Sequence, residues 1–299
     1  MDSLLGEAAA LLAAAGFSVT SVCYTLAGRK ISPVTSIAMS LPIAWVILSG
    51  IHQVSLGEFF PTNATVSRWF YLGMSGILAF VISSYFMLDA YQHIGPRLTM
   101  LIASLAPVLG ALLAWLLLGQ TLPANAAIGI AMVTFGIIWV IAERHQGQPA
   151  MPKQAVRRGV VYACLGTLAQ AAAFVFASRG VEGEFPPFSA TLIRITAGIA
   201  ALWLFIVLQR QLKATATSLH HEPRLVLLLA GAALTGPVMA GSLLLLSFQL
   251  IPVGVSTTLS HTTAIMLIPI GYFVFRERIT LRAVVGTIVT VVGIGVLFR

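Results

Sequence analysis

The sequence predicts an all-α membrane protein: ten transmembrane helices in two inverted five-helix repeats around a central cavity. Three observations predict it. The first is composition. Of 299 residues, 58% are hydrophobic and 9% charged, and the mean hydropathy is +0.96. A soluble domain carries about 25% charged residues, so this chain has too little polar surface to coat a water-soluble globule. The second is spacing: ten apolar stretches have about the 20 residues that a bilayer crossing needs. The third is internal likeness, because the halves share a register.

The candidate spans are 4–27, 33–54, 69–92, 96–119 and 123–142, then 159–178, 187–209, 225–249, 253–275 and 280–298. Proline marks most of their starts. Ser32-Pro33 opens the second, Gly95-Pro96 separates third from fourth, Leu122-Pro123 opens the fifth, Pro186-Pro187 the seventh and Pro252 the ninth. Proline suits the first turn of a helix, where its missing N–H would lack a partner anyway. The longest polar stretch, Glu143 to Arg158, contains Gly147, Pro149 and Pro152. It divides the chain into a first repeat (1–142), a linker (143–158) and a second repeat (159–299).

Shifting residues 90–142 by 157 positions lays them on 247–299 without a gap. Tyr91-Gln92 then meets Phe248-Gln249, Ile94 meets Ile251, Gln120 meets Glu277, Gly129 meets Gly286, and Gly136-Ile137 meets Gly293-Ile294. Upstream, Pro33 meets Pro187 with a small gap between. Five helices per repeat place the second copy upside down relative to the first, the arrangement of many secondary transporters. The connections test the orientation. Those after the first, third, fifth, seventh and ninth spans hold 13 of the 17 Lys and Arg residues. The positive-inside rule puts these in the cytoplasm and both termini on the other side.

The formal charge of +8 does not imply nucleic acid, because the basic residues sit in connections rather than on one soluble face. Anionic lipid headgroups are their natural partners. Cys23 and Cys164 lie inside apolar segments, with neither a disulfide framework nor metal-ligand spacing. The first residues lack a basic n-region and a cleavage site, so no cleaved signal peptide is expected.

Polar side chains inside a bilayer are costly and mark candidate sites. In the first helix Phe17, Thr20, Ser21 and Tyr24 share one face, and Gln170 and Phe174 lie at comparable depth in the sixth. The third ends in Ser83, Ser84, Tyr85, Asp89, Tyr91 and Gln92, and the fourth holds Thr99, Ser104 and Pro107. The ninth carries Ser256, Thr257, Thr258, Ser260, His261, Thr262 and Thr263. Each Ser or Thr has a plainer reading, back-bonding to the preceding turn or gluing helices together. For the cluster around His261 a cavity wall is the better account. Arg194, about two turns into the seventh helix, either snorkels to the interface or contacts an anion. Asp89 either reaches headgroups or pairs with Arg97.

None of the nine acidic residues lies at the middle of a span. A proton-driven exporter of lipophilic cations needs a carboxylate there, so a neutral substrate or one with paired charges fits better. Hydrogen-bonding Ser, Thr and His between Tyr and Phe walls suit amino acids. An enzyme is not expected. Gly73-Met74-Ser75-Gly76 matches the GxSG form of intramembrane serine proteases, with His261 as a conceivable base, but four residues in a Gly- and Ser-rich bundle specify little. His220-His221-Glu222 lacks the HExxH zinc spacing, and no P-loop is present.

Ten spans in two repeats resemble a known pattern. Tyr91-Gln92 closes the third, Pro107 stands in the fourth, and Phe275-Arg276-Glu277-Arg278-Ile279-Thr280 joins the last two. The pattern is similar to the drug/metabolite transporter superfamily, EamA type. That family commonly ends the fourth helix of each repeat with a GE or RE step. Arg276-Glu277 keeps it and Gly119-Gln120 departs from it. The resemblance covers nearly the whole chain, and the signatures of nucleotide-sugar carriers are not visible. Within the superfamily the chain is most similar to bacterial aromatic amino acid exporters. This implies a ten-helix basket in the bacterial inner membrane, exporting amino acids by alternating access. Other readings are a multidrug or small-metabolite exporter and, from another class, an intramembrane serine protease. Tyr24, Tyr85, Thr99, Ser260 and His261, with Arg194, are the residues expected to line the cavity. A small-molecule substrate and the lipid bilayer are the expected partners, the chain being a monomer without cofactor, metal or nucleic acid.

Overall fold

The computed structural model describes residues 2–121, 123–141, 153–208, 223–263, 265–266 and 281–297. Every regular element among them is helical. Six helices are long and apolar enough to cross a membrane: Asp2–Ala27, Val34–Leu56, Val66–Ile94, Lys153–Gly180, Pro187–Leu208 and Arg224–Leu250. Ala106–Leu118, Ala124–Trp139 and Val284–Val296 are shorter apolar helices. Several expectations lie outside the described residues: linker residues 143–152, His220-His221-Glu222, the end of the ninth span, and the Phe275–Thr280 connection.

Local chemistry accounts for the helix ends. Ser32 caps α2 (Pro33–Leu56), its hydroxyl accepting from the Thr35 N–H, and Gly57 ends it at φ 75°. Thr65 caps α3 (Val66–Ile77) in the same way, accepting from Arg68. These caps satisfy backbone groups that the helix itself leaves free. Two boundaries differ from the sequence reading. The sixth helix, α7 (Lys153–Gly180), starts six residues earlier than the 159 expected, because nothing from Lys153 to Arg158 breaks a helix. The helix α4 (Ser84–Ala103) runs through Gly95-Pro96 and breaks instead at Ser104-Leu105. Pro96 removes one rung of hydrogen bonding without forcing the backbone out of helical angles.

The same deformations occur twice. A π-helical segment, Leu78–Ser83, interrupts the Val66–Ile94 span, and another, Leu234–Gly241, interrupts Arg224–Leu250. The 157-residue offset carries the first onto the second. It also carries the break at Ser104-Leu105 onto the one at His261-Thr262, which ends the helix α11 (Val253–Ser260).

Glycines let the halves close on each other. α7 runs antiparallel to the Val66–Ile94 span: a Cβ added at Gly159 would fall on Ile94 and His93, one at Gly166 on Met87, and one at Gly180 on Leu72. α1 (Asp2–Ala27) runs likewise along Arg224–Leu250, with Gly6 on Leu250 and Ile251 and Gly16 on Thr235 and Ala240. The helices α6 (Ala124–Ile141) and α12 (Leu281–Leu297) form a third seam, in which Gly136 abuts Thr290 and Gly293 abuts Val133. The 157-residue offset exchanges those two contacts. Small residues allow such approach where no hydrophobic force acts between helices in lipid. Outward faces are apolar, with Val46, Leu116, Leu117 and Leu204 more than half exposed.

Each end of the bundle has its own polar tie. At one end Arg68 donates to the Glu182 carbonyl at 3.2 Å and stacks 4.3 Å from the Phe185 ring centroid. There the Gln249 amide also donates to the Val181, Gly183 and Phe185 carbonyls. At the other end Asp89 lies 3.1 Å from His93 Nδ1 and 3.7 Å from Arg158 Nε. The expected pairing of Asp89 with Arg97 lies outside the described side chains.

Candidate functional site

Between the halves lie two cavities of about 290 and 240 Å³, and both are lined by Phe17, Gln170, Phe174 and Leu244. The four shared residues make a waist between two compartments of one space. Phe17 comes from α1, Gln170 and Phe174 from α7, and Leu244 from α10 (Ser242–Leu250).

The larger compartment is built on the two helix breaks. Where α11 ends, Ser260, His261 and Thr263 reach the wall, and Ser104 does so at the matching break in the first half. The His261 ring stands edge-on to Phe174, with centroids 6.3 Å apart. Ser260 donates to the Thr257 carbonyl at 2.9 Å, and Thr263 to the Ser260 carbonyl at 2.7 Å and the Ala14 carbonyl at 3.1 Å. These bonds hold the broken turn against α1.

The smaller compartment is lined by Thr20 and Tyr24 of α1, Phe80, Gly236-Pro237 of the second π-helical segment, and Arg194 of α8 (Pro187–Leu208). The Tyr24 and Ser40 hydroxyls share a hydrogen bond of 2.6 Å. Thr20 and Thr235 share another of 2.8 Å. Arg194 is 6% exposed, and its Nε is buried without a hydrogen-bond partner. Its guanidinium stands over the Phe80 ring, whose centroid lies 6.0 Å away. The backbone carbonyl of Arg194 packs against Gly76, at a point where no side chain would fit. Arg194 is thus buried in the wall of the smaller compartment.

Four of the six expected residues line this space: Tyr24, Arg194, Ser260 and His261. Tyr85 does not. It is 43% exposed and packs on Phe86 and Phe205, in a small apolar recess on the outer side. The π-helical segment just before it widens the turn and rotates the face that follows. Ser84 donating back five residues to Ala79 marks that wider turn. Thr99 is fully buried and is not among the residues lining either compartment. The cluster Ser256–Thr263 divides: Thr257 and Thr258 bond back to the Val253 and Gly254 carbonyls at 2.7 and 2.6 Å, and only its C-terminal part meets the cavity.

The waist was only half legible. Gln170 and Phe174 stand out in the sequence as counterparts of the first helix's polar face, yet nothing there marks them as the centre. Met100, Ile137 and Phe80 carry no sequence signal as lining residues. Ser75, of the GxSG pattern, is fully buried and donates to the Ala173 carbonyl at 2.7 Å. Its hydroxyl joins two helices and does not meet His261.

Comparison with known proteins finds one module twice in the chain. The EamA-like transporter family model matches residues 4–142 and again 157–299. Among solved structures, one crystal structure of a protein superposes with a TM-score of 0.76 at 17% identity, covering 99% of this chain and 95% of that one. The crystal structure of the H+/Ca2+ exchanger CAX is 16% identical over 99% of this chain and 86% of that one, and its TM-score of 0.19 carries no argument. No curated protein matches the chain. With two copies of one family's module filling nearly its whole length, the chain is a multi-pass membrane protein belonging to the EamA-like transporter family.

Proposed function

We propose that the protein exports amino acids, aromatic ones included, and related metabolites across a bacterial inner membrane. It does so by alternating access of two inverted five-helix repeats, residues 1–142 and 159–299 joined by 143–158, with both termini on the non-cytoplasmic side. The observation that carries this is the cavity between the family's two modules. Its aromatic waist and the polar groups on either side match an amphipathic solute, and no acidic side chain lines it among the described residues. Resemblance to the bacterial aromatic amino acid exporter YddG supports the substrate class, and the matched π-helical segments and breaks supply bending points in both halves. Tyr24, Arg194, Ser260 and His261 contact the solute, Phe17 and Phe174 flank its apolar part, and His261 orients its polar groups. A multidrug exporter of lipophilic cations is the poorer fit, because a buried guanidinium repels them.

Counterflow in liposomes tests this. Vesicles holding the purified protein and unlabelled phenylalanine, with no ion gradient imposed, are expected to take up labelled phenylalanine. No uptake of any amino acid by folded protein would overturn the amino acid assignment.

A further inference from the structure

We infer that the cavity recognises its solute by a carboxylate on Arg194 and does not require the amine, so that monocarboxylates lacking an amino group are bound as substrates. This rests on the reading that the cavity is the transport site. It deepens that reading by dividing the two charges of an amino acid.

The inference starts from charge. Arg194 is an unpartnered cation within the membrane-spanning part of the bundle. It is more than nine-tenths buried, its Nε makes no hydrogen bond, and it forms no ion pair with a described residue. A buried charge without a counter-ion is strongly unfavourable, and the face of Phe80 at 6.0 Å is at the edge of useful range. The side chain lies inside the bundle and lines the smaller compartment, not the outer surface. What remains is the cavity. A guanidinium presents a planar fork that a carboxylate fills with two parallel hydrogen bonds.

An ammonium finds nothing equivalent. The described lining residues include Arg194 and His261 but no Asp or Glu. Among the described acids, Asp89 lies near His93 and Arg158 at one end of the bundle, and Glu182 pairs with Arg179 at the other. For an amine the lining offers polar groups without negative charge, among them Gln170, Ser21 and Ser260. Such contacts replace the hydration of an ammonium only in part, so removing the amine costs little and removing the carboxylate leaves Arg194 unpaired. The site is also one-sided. On the register that pairs Pro33 with Pro187, the counterpart of Arg194 is Ser40, which is committed to Tyr24. The carboxylate therefore has one seat, and the apolar remainder of the solute lies toward the aromatic waist.

Three solutes with one carbon skeleton separate the possibilities: phenylalanine, phenylpropionate (no amine) and phenethylamine (no carboxylate). Each is added to the purified full-length protein in detergent while thermal stability is followed, then used as a competitor and as a counterflow substrate in liposomes. Phenylpropionate is expected to stabilise the protein and exchange within about threefold of phenylalanine, and phenethylamine to bind at least about tenfold more weakly. Arg194→Gln is expected to erase the difference between the two analogues, and Arg194→Lys to keep it. Should Arg194→Gln fail to fold, the comparison of analogues on the unmodified protein still decides. Equal binding of phenethylamine and phenylpropionate overturns the inference, as does absence of any effect of phenylpropionate, whether or not amino acids are exported. Exchange of phenylpropionate without exchange of phenylalanine sustains it and overturns the amino acid assignment instead.

Discussion

Arg194 and His261 stand on opposite sides of the Phe17–Phe174 waist, one in each compartment. Neither side chain hydrogen-bonds to another described residue. They reach the cavity for different reasons: Arg194 because Gly76 lets its turn of α8 press inward, His261 because the ninth span breaks there. The sequence makes this face of α1 legible, since Phe17, Thr20 and Tyr24 follow a regular helix. It does not separate Thr257 and Thr258 from Ser260 and Thr263, because back-bonding and cavity-lining hydroxyls look alike until the break is located. Losing a hydrogen bond to a charged group costs about 1.5–3 kcal/mol. His261→Ala is therefore expected to slow counterflow at sub-saturating substrate by about tenfold, and His261→Gln, which keeps a donor, by less. Normal rates in both variants would remove His261 from the site.

At the scale of elements, the seam between α6 and α12 depends on two glycines. Gly129 with Gly286, and Gly136 with Gly293, already stood out in the sequence as matched pairs, and Gly136 and Gly293 prove to be points of closest approach. The π-helical segments were less legible. Pro237 falls inside the second, but the first, Leu-Ala-Phe-Val-Ile-Ser, contains no glycine or proline to announce a wider turn. Tyr85 follows that wider turn and is 43% exposed, whereas Tyr24, on a regular helix, lines the smaller compartment. A Cβ at Gly136 would run into Thr290 Oγ1 and the Gly286 carbonyl, an overpacking that typically costs about 1–3 kcal/mol. Gly136→Ala is accordingly expected to lower the thermal midpoint in detergent. Gly50→Ala makes the control. It stands in the helix α2 with no atom within 4 Å of the added Cβ, and removing a mid-helix glycine there is expected to be neutral or stabilising by up to about 1 kcal/mol. Equal midpoints for the two variants would mean that the seam yields freely.

For the whole molecule, the two polar ties sort the connections into ends. Arg68, Glu182, Phe185 and Gln249 gather at one end, so the connection after the second helix and the one after α7 share a side. Asp89, His93 and Arg158 gather at the other, together with the start of α7. The sequence assigns most of its Lys and Arg to the connections of that second end, and the charge rule then predicts that this end faces the cytoplasm. The two ends make this orientation measurable. With Cys23 and Cys164 replaced by Ser, single cysteines at Thr62 and Glu184 are expected to react with a membrane-impermeant maleimide added outside intact cells. A cysteine at Lys30 is expected to react only after the membrane is opened. Protection of Thr62 and Glu184 together, with Lys30 reactive outside, would turn the molecule over while leaving its two ends intact. Opposite behaviour of Thr62 and Glu184 would contradict the shared end itself, and with it the packing of Arg68 on Phe185.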